Sequence, residues 1–596
     1  MIDHMGHWER THTCGQIRAS DVDKEVILMG WVHSARDHGG IIFADLRDRY
    51  GTCQLVFNPQ RAPDAHRSAR MLRSEYVLAV RGIVGHRPPE TVNPRMATGD
   101  VEVVVEEMRL LNESLSLPFA IEDDTDASEL VRLQYRILDL RRPIMQRNLI
   151  MRHEAARSIR QFLHAEGFLE LETPFLTRST PEGARDYLVP SRVNPQMFYA
   201  LPQSPQLFKQ LFMIAGYDRY FQIVRCFRDE DLRKDRQPEF TQLDMEMAFI
   251  HRSALFDLIE RMMATLFHDV LGVTIRLPFK RLSYHEAIAR YGRDNPDTRY
   301  ELMLEDVSDI LRGSRFRAFA EVLQNGGMAK GLNATGCAGM SRRELDELTA
   351  QVSNLGAKGL AWIKVGSGGW QSPILKFLEP TEINALAQRM EAREGDLLLL
   401  MADEPHTVNI SLAYLRSVVA ERLGLVSENQ FAFAWITDFP LLEFSEEEKR
   451  WTAMHHPFTA PMDEDIPRLS EDPGKVRAQA YDLVLNGNEI GGGSIRNYRK
   501  DIQEKVFNVL GIGPEEAQEK FGFLLQALQF GAPPHGGIAF GFDRLVMILC
   551  NAESIRDVIP FPKTQKATCL LTGAPSRVDP RQLEELHIRL RGRVME

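Results

Sequence analysis

The order of strands and helix near the N-terminus constrains the fold most. Five short runs, residues 25–32, 41–45, 52–57, 76–84 and 100–106, are rich in Val, Ile and aromatic residues and read as strands. One apparent helix, residues 65–72, interrupts them after the third. Five short strands suggest a small barrel, and a helix in that place is the arrangement expected of an OB-fold.

A single small barrel accounts for little of 596 residues, a length that predicts about four folding units. The 72 basic residues against 83 acidic ones leave a net charge of −11, so nucleic acid cannot be held by bulk positive charge and any such contact must be local. With 44% hydrophobic and 26% charged residues the composition is that of a globular chain. No apolar run approaches the ~18 residues that span a bilayer, so a soluble protein without membrane contact is expected. The six cysteines (Cys14, Cys53, Cys226, Cys337, Cys550, Cys569) are far apart, which suggests neither a disulfide framework nor a paired-thiolate zinc site. A reducing cytoplasm fits that usage, and the polar first residues do not read as a signal peptide.

Behind the barrel, residues 112–126 form a Pro-containing acidic stretch that reads as a hinge, followed by helical spacing over 129–140. Residues 149–163 place Ile159, Phe162 and Leu163 on one face of a helix that ends near Gly167. Strand-like runs follow at 197–201, 220–225 and 241–249, and again at 431–436 and 536–540, as in a mixed or antiparallel sheet. Between them, residues 316–410 carry their own helices (341–355, 382–390) and Gly-rich turns, enough for an inserted domain. The expected architecture is multidomain α+β: barrel 1–112, hinge 113–141, core 142–315, insertion 316–410, and core 411–596 with a C-terminal extension.

The chemistry concentrates in Phe227-Arg228-Asp229-Glu230 and Arg236-Gln237-Pro238-Glu239-Phe240-Thr241-Gln242-Leu243-Asp244. An arginine ending one strand and another before the returning strand would set two guanidinium forks over one sheet face, a geometry suited to polyphosphate. A solvated charged hairpin is the alternative. Far away, Gly536-Gly537-Ile538-Ala539-Phe540-Gly541-Phe542-Asp543-Arg544 runs through a Gly-rich strand to an arginine opening a helix, and small residues allow a ligand close to the backbone. Together with Gly167-Phe168-Leu169-Glu170-Leu171-Glu172-Thr173-Pro174, these segments resemble, in form and order, the signature motifs of class II aminoacyl-tRNA synthetases. Thr180-Pro181-Glu182-Gly183-Ala184-Arg185-Asp186-Tyr187, Gln203-Ser204-Pro205-Gln206-Leu207-Phe208-Lys209-Gln210 and Ala453-Met454-His455-His456-Pro457-Phe458 are similar to aspartate-specific elements of the bacterial aspartyl-tRNA synthetase family, and the likeness runs nearly end to end.

That resemblance implies ATP-dependent aspartylation of tRNA through aspartyl-adenylate. It implies an anticodon-binding OB-fold, and an insertion of the kind bacterial members carry, here containing Gly356-Ala357-Lys358-Gly359-Leu360. No protein nucleophile is needed, because the substrate's carboxylate attacks; positioning and charge neutralisation remain. By resemblance Arg228 reaches the α-phosphate and the substrate α-carboxylate, Arg236 the distal phosphates, and Arg544 stacks on adenine opposite Phe240. Asp229, Glu230, Gln237, Gly541, Phe542 and Asp543 complete the implied ATP set, Glu230 and Gln237 reading adenine and phosphate edges. Asp482 and Glu489, seven apart, look like the carboxylates that hold magnesium with ATP oxygens; no zinc is implied. Lys209 and Arg496 match the residues that grip the side-chain carboxylate of aspartate, and Ser204, Gln206 and Asp244 those around its ammonium. An unpaired buried cation would then reject asparagine. Glu182 would lie on a lid and His455 would assist closure, although a packing histidine reads almost as well.

In the barrel, Arg36, Phe43 and Gln54 offer a cation, an aromatic platform and an amide fork for unstacked anticodon bases, with Glu102 a further contact. His38 stands where relaxed family members, which also charge the asparagine tRNA with aspartate, carry histidine and strict ones leucine. Glu90, at about the place where relaxed members often have glycine, matches neither type. The implied partners are L-aspartate, ATP, tRNA(Asp), tRNA(Asn) and a second copy of the chain, since segment 149–174 resembles the family's dimer motif. A related synthetase of other specificity and a non-catalytic tRNA-binding paralogue are the alternatives.

Overall fold

The computed structural model describes residues 2–180, 184–232, 236–427 and 429–590. Two compact units emerge, residues 1–150 with 560–576, and residues 151–559 with 577–596. Among the described residues no helix is long and apolar enough to cross a membrane.

In the first unit, strands β1 (Glu25–His38), β2 (Ile41–Asp48), β3 (Gly51–Phe57), β4 (Val77–His86) and β5 (Val101–Asn112) close a barrel in the order β1-β2-β3-β5-β4. Each expected strand is present, most of them longer, because alternate residues such as Val26, Leu28 and Val32 bury into one core. The helix after β3 spans Pro63–Ala69. Gly39 and Gly40, both at positive φ, form the two-residue turn between β1 and β2. The helical spacing over 129–140 is realised as two short helices, Glu129–Gln134 and Arg136–Asp139, broken at Tyr135. Residues 560–576, expected with the core's extension, group instead with the barrel unit, where Arg136 donates to the Pro560 carbonyl at 2.9 Å.

The second unit is built on an eight-stranded sheet. Its order is Lys280–Ser283, Phe433–Thr437, Ala480–Leu485, Asn488–Ile495, His535–Gly541, Glu239–Ala248, Arg219–Phe227, Leu169–Glu170. Only the two outermost pairings are parallel, so the sheet is mixed. Helices Pro143–Ala165 and Arg252–Leu271 cover one face through Ala155, Ile159, Leu163, Ile259 and Phe267. A second, five-stranded sheet contains Leu304–Asp306, Met328–Ala334, Ala361–Gly366, Gly369–Gln371 and Leu397–Asp403. It reaches outside the expected 316–410 at both ends: its edge strand begins at Leu304, and helix Pro405–Arg422, packed on its core through Val408, Leu412 and Leu415, runs past residue 410. A three-residue edge strand leaves too short a pattern to read in sequence.

Candidate active site

One strand lays out the site. On Glu239–Ala248, side chains two residues apart share a face, so Phe240, Gln242, Asp244 and Glu246 line up along it. Cys226 pairs with Phe240 and Asp244 with Ala539, placing the arginine hairpin on one side and the Gly-rich strand on the other. A cavity of about 440 Å³ opens there, bounded by Arg228, Arg236, Phe240, Glu489, Gly541 and Arg544. Gly491 borders it with no side chain because the sheet's other face leaves none room: a Cβ there would fall 2.5 Å from the core ring of Phe540.

Arg228 and Arg236, separated by the loop, come back together over Glu230: Arg236 Nη1 donates to Glu230 Oε2 at 3.0 Å and Arg228 Nη1 lies 4.0 Å from Oε1. The Arg228 guanidinium sits 5.2 Å above the Phe240 ring, and its buried Nε has no partner among the described residues. Arg544, at the start of helix Phe542–Leu549, donates to the main-chain carbonyl of Glu489 at 2.5 Å and so ties that helix to strand Asn488–Ile495.

Three residues of the implied ATP set are engaged within the fold. Phe542 is buried in the hydrophobic core, because the first turn of its helix points inward, so its side chain does not line the cavity. Asp543 borders the cavity, but its carboxylate accepts from the Thr241 main-chain N–H at 2.7 Å and from Arg152 Nη1 at 2.5 Å, which fixes the helix start rather than leaving a group for ligand. Asp229 lies 3.8 Å from Arg185. Glu182 falls outside the described residues.

Asp482 and Glu489 stand on the two strands of a hairpin whose turn is Asn486-Gly487. A bulge after Leu483 shifts the register, and an ideal Cβ on Gly492 would lie 2.5 Å from Asp482 Oδ1 and 3.5 Å from Glu489 Oε1. Glycine is what lets the two carboxylates converge. The Asp482 charge and burial push the Glu489 carboxyl up to about 7. His455 Nε2 lies 3.5 Å from Asp482 Oδ2, which holds that imidazole above its usual range despite burial. Asp482 Oδ1 is buried without a partner among the described residues. Two mutually repelling carboxylates, one with an orphaned oxygen, fit a hard divalent cation that completes its shell from another ligand. No group of three or more His, Cys, Asp or Glu able to hold a metal alone occurs among the described residues.

At the other end of the strand lies a buried four-charge cluster. Lys209 Nζ donates to Asp244 Oδ1 at 3.0 Å and lies 3.4 Å from Glu246 Oε2; Arg496 grips Glu246 with Nε at 2.9 Å and Nη2 at 3.2 Å, and donates to Ser494 Oγ at 2.8 Å. All four side chains are at most 5% exposed. Each cation is therefore paired with a carboxylate inside the fold, because burying one alone would cost far more than burying it with a carboxylate. Burial raises the Asp244 carboxyl, and its Oδ2 has no partner among the described residues; Arg496 and Lys209 hold Glu246 below the usual carboxylate range against its burial. Gln206 sits beside the cluster with its amide on Gln210 at 3.2 Å, and Ser204 accepts the Gln206 main-chain N–H at 3.2 Å. Sequence reasoning missed Glu246, although it follows Asp244 at the strand period. It also passed over His456, whose imidazole is held down at about 3 by burial and by the Arg496 and Lys209 charges. Of the histidine pair, His455 meets the carboxylates and His456 feels the cations.

On the barrel, Arg36, Gln54 and Glu102 form one chain: Arg36 Nη2 donates to Gln54 Oε1 at 2.9 Å, and Gln54 Nε2 to Glu102 Oε2 at 2.8 Å. The Arg36 guanidinium lies 5.8 Å from the Phe43 ring centroid. His38 is exposed beside the Gly39-Gly40 turn, which His66 braces through the Gly40 carbonyl at 2.9 Å. Glu90 is exposed on the Pro89–Thr91 turn between β4 and β5.

The model for the class II (D, K and N) tRNA synthetases matches residues 128–565, and that for the OB-fold nucleic acid binding domain matches residues 26–111. The chain is 58% identical over 589 residues to the aspartate–tRNA(Asp/Asn) ligase of Geotalea uraniireducens, with 99% of each chain covered. It is also 58% identical to the ligase of the same name from Moorella thermoacetica, covering 99% of this chain and 98% of that one. Among solved structures, the asparaginyl-tRNA synthetase of Pyrococcus horikoshii in complex with asparaginyl-adenylate superposes with a TM-score of 0.59 at 19% identity, covering 96% of this chain and 100% of the other.

Proposed function

The chain belongs to the class II aminoacyl-tRNA synthetases of the aspartate, lysine and asparagine group, and on that footing we propose that it aspartylates tRNA in two steps. The observation that carries the reading is one strand face with an arginine-lined cavity at one end and the Lys209–Arg496 cluster at the other. In the first step the α-carboxylate of aspartate attacks the α-phosphorus of ATP, pyrophosphate leaves, and aspartyl-adenylate forms. Arg228 lies where it can bridge the two reactants, and Arg236 meets charge building on the departing phosphates. Magnesium, held by Asp482 and Glu489, would supply further neutralisation of the phosphate oxygens. In the second step a ribose hydroxyl at the tRNA terminus attacks the carbonyl carbon and AMP departs.

Selection of aspartate over asparagine follows from donor counting. Lys209 has three N–H donors and Arg496 five, and the cluster's own acceptors engage only part of them. A side-chain carboxylate accepts what remains. An amide would turn its NH₂ toward cations that have nothing to accept with, and buried mismatches of this type support large discrimination. The unpartnered Asp244 Oδ2 suits the substrate ammonium.

We further propose charging of both tRNA(Asp) and tRNA(Asn). Exposed His38 can hydrogen-bond more than one base edge, whereas leucine offers shape alone. Aminoacylation with purified tRNAs tests this: the wild-type protein charges both, and His38→Leu depresses charging of tRNA(Asn) more than of tRNA(Asp). A wild-type preference for tRNA(Asp) of about a thousandfold or more would establish strict specificity instead. A homodimer completes the reading. Leu169–Glu170 is an edge strand, Pro174 cannot extend its ladder, and Leu169, Phe175 and Leu176 nearby are exposed, a surface a second copy would cover. Light scattering at micromolar concentration is expected to give twice the chain mass, and a value near 68.0 kDa would overturn it.

A further inference from the structure

Helix Pro405–Arg422, packed on the five-stranded sheet, sends one side chain away from that sheet's core. Arg416 is 2% exposed and lies 4.7 and 4.2 Å from the ring centroids of Tyr291 and Tyr300. Its guanidinium donates to three main-chain carbonyls of a single loop: Nε to Leu302 at 2.6 Å, Nη2 to Asp297 at 2.7 Å and to Tyr300 at 2.7 Å. An arginine buried without a carboxylate is costly, and three carbonyls in its fork are what make the placement stable. The loop is stiffened further by the Asp297–Arg299 pair, at 2.6 Å.

The same loop touches the hairpin that carries Asp482 and Glu489. Asn295 Nδ2 donates to the Gly487 carbonyl at 3.1 Å, and a Cβ on Gly487 would stand 3.3 Å from Asp297 Cβ. Asn486 and Gly487 both have positive φ, as a two-residue turn of this hand requires, and Glu489 follows two residues after Gly487. The turn is thus held at Gly487 by a loop that is itself held by Arg416, and at Asn486 by the Gln430 carbonyl and the Ala432 main chain.

We infer that Arg416 is a positioning residue for Glu489: through the 295–302 loop, the inserted sheet and its helices set the conformation of the hairpin turn from which Glu489 projects. This gives the insertion a task in the first reaction step, and it rests on the reading of Glu489 as a ligand of the ATP-bound magnesium. Removing the carbonyl fork, or only the last link at Asn295, loosens the Gly487 side of the turn, Asn486 keeping its bonds to Gln430 and Ala432, while leaving every residue that touches substrate in place.

The test uses the full-length protein as wild type, Arg416→Met, Asn295→Ala, and Lys358→Ala as a control on an exposed part of the insertion. Hydrogen exchange is followed in peptides covering residues 480–492, and ATP–pyrophosphate exchange is titrated with magnesium. Both loop variants are expected to exchange faster at 486–490 and to need about three- to tenfold more magnesium for half-maximal rate, the size of one lost hydrogen bond or a few, with the rate at saturating magnesium little changed. Lys358→Ala should match wild type in both. Unchanged hydrogen exchange at 486–490 in Asn295→Ala, the variant least able to disturb folding, overturns the inference. Faster exchange with an unmoved magnesium midpoint upholds the turn's dependence on the loop and overturns the metal role of Glu489.

Discussion

Arg228→Ala is expected to abolish aspartate-dependent ATP–pyrophosphate exchange, by about a thousandfold or more, while leaving the fold intact. The side chain is 37% exposed, reaches Glu230 only at 4.0 Å, and covers the Phe240 ring, so the folded chain asks little of it. The reaction asks much more. Charge moves onto the phosphate oxygens as pyrophosphate departs, and a guanidinium standing over the Phe240 ring beside them stabilises that change. Circular dichroism and the melting temperature should match wild type. Near-normal exchange in a folded variant would remove Arg228 from the reaction.

Arg496→Met should fail in two ways at once. Glu246 loses both hydrogen bonds from Arg496 and keeps only Lys209, which it must share with Asp244. Breaking a buried pair from one side costs about 3–5 kcal/mol, so a large drop in the unfolding temperature is expected together with loss of aspartate-dependent exchange. The double variant Arg496→Met with Glu246→Met separates the two effects. It removes the charge together with its partner and should regain most of the stability while remaining inactive. If the single variant is as stable as wild type, the cluster is not the tightly paired core the geometry describes. If the double variant charges tRNA, aspartate is recognised elsewhere.

Much of the site was legible because its residues sit on local patterns: Arg228 and Arg236 bracket a hairpin, Arg544 follows a Gly-rich strand, and the Arg36, Phe43 and Gln54 trio falls on adjoining strands. Residue type and spacing determine such arrangements within a few turns of chain. What stayed hidden depends on elements far apart in sequence. Phe542 and Asp543 share the ATP segment with Arg544, yet helix phase turns the first into the core, and Arg152, 391 residues away, occupies the second. Lys209 and Arg496 read as the grip on a substrate carboxylate, and only the fold, which brings a helix and a strand end to Asp244 and Glu246, showed those carboxylates already beside them.

By itself, then, the sequence determined the barrel and the hairpin whose loop carries Arg228 and Arg236, since periodicity and turn chemistry act over short stretches of chain, while the family showed only as a resemblance of motifs. The tertiary structure alone decided which buried charges neutralise one another, how far the five-stranded sheet extends and that Arg416 reaches a loop more than a hundred residues away. Those outcomes follow from the cost of leaving a charge or a carbonyl unpaired away from water, a cost that depends on the neighbours folding supplies and not on the neighbours along the chain.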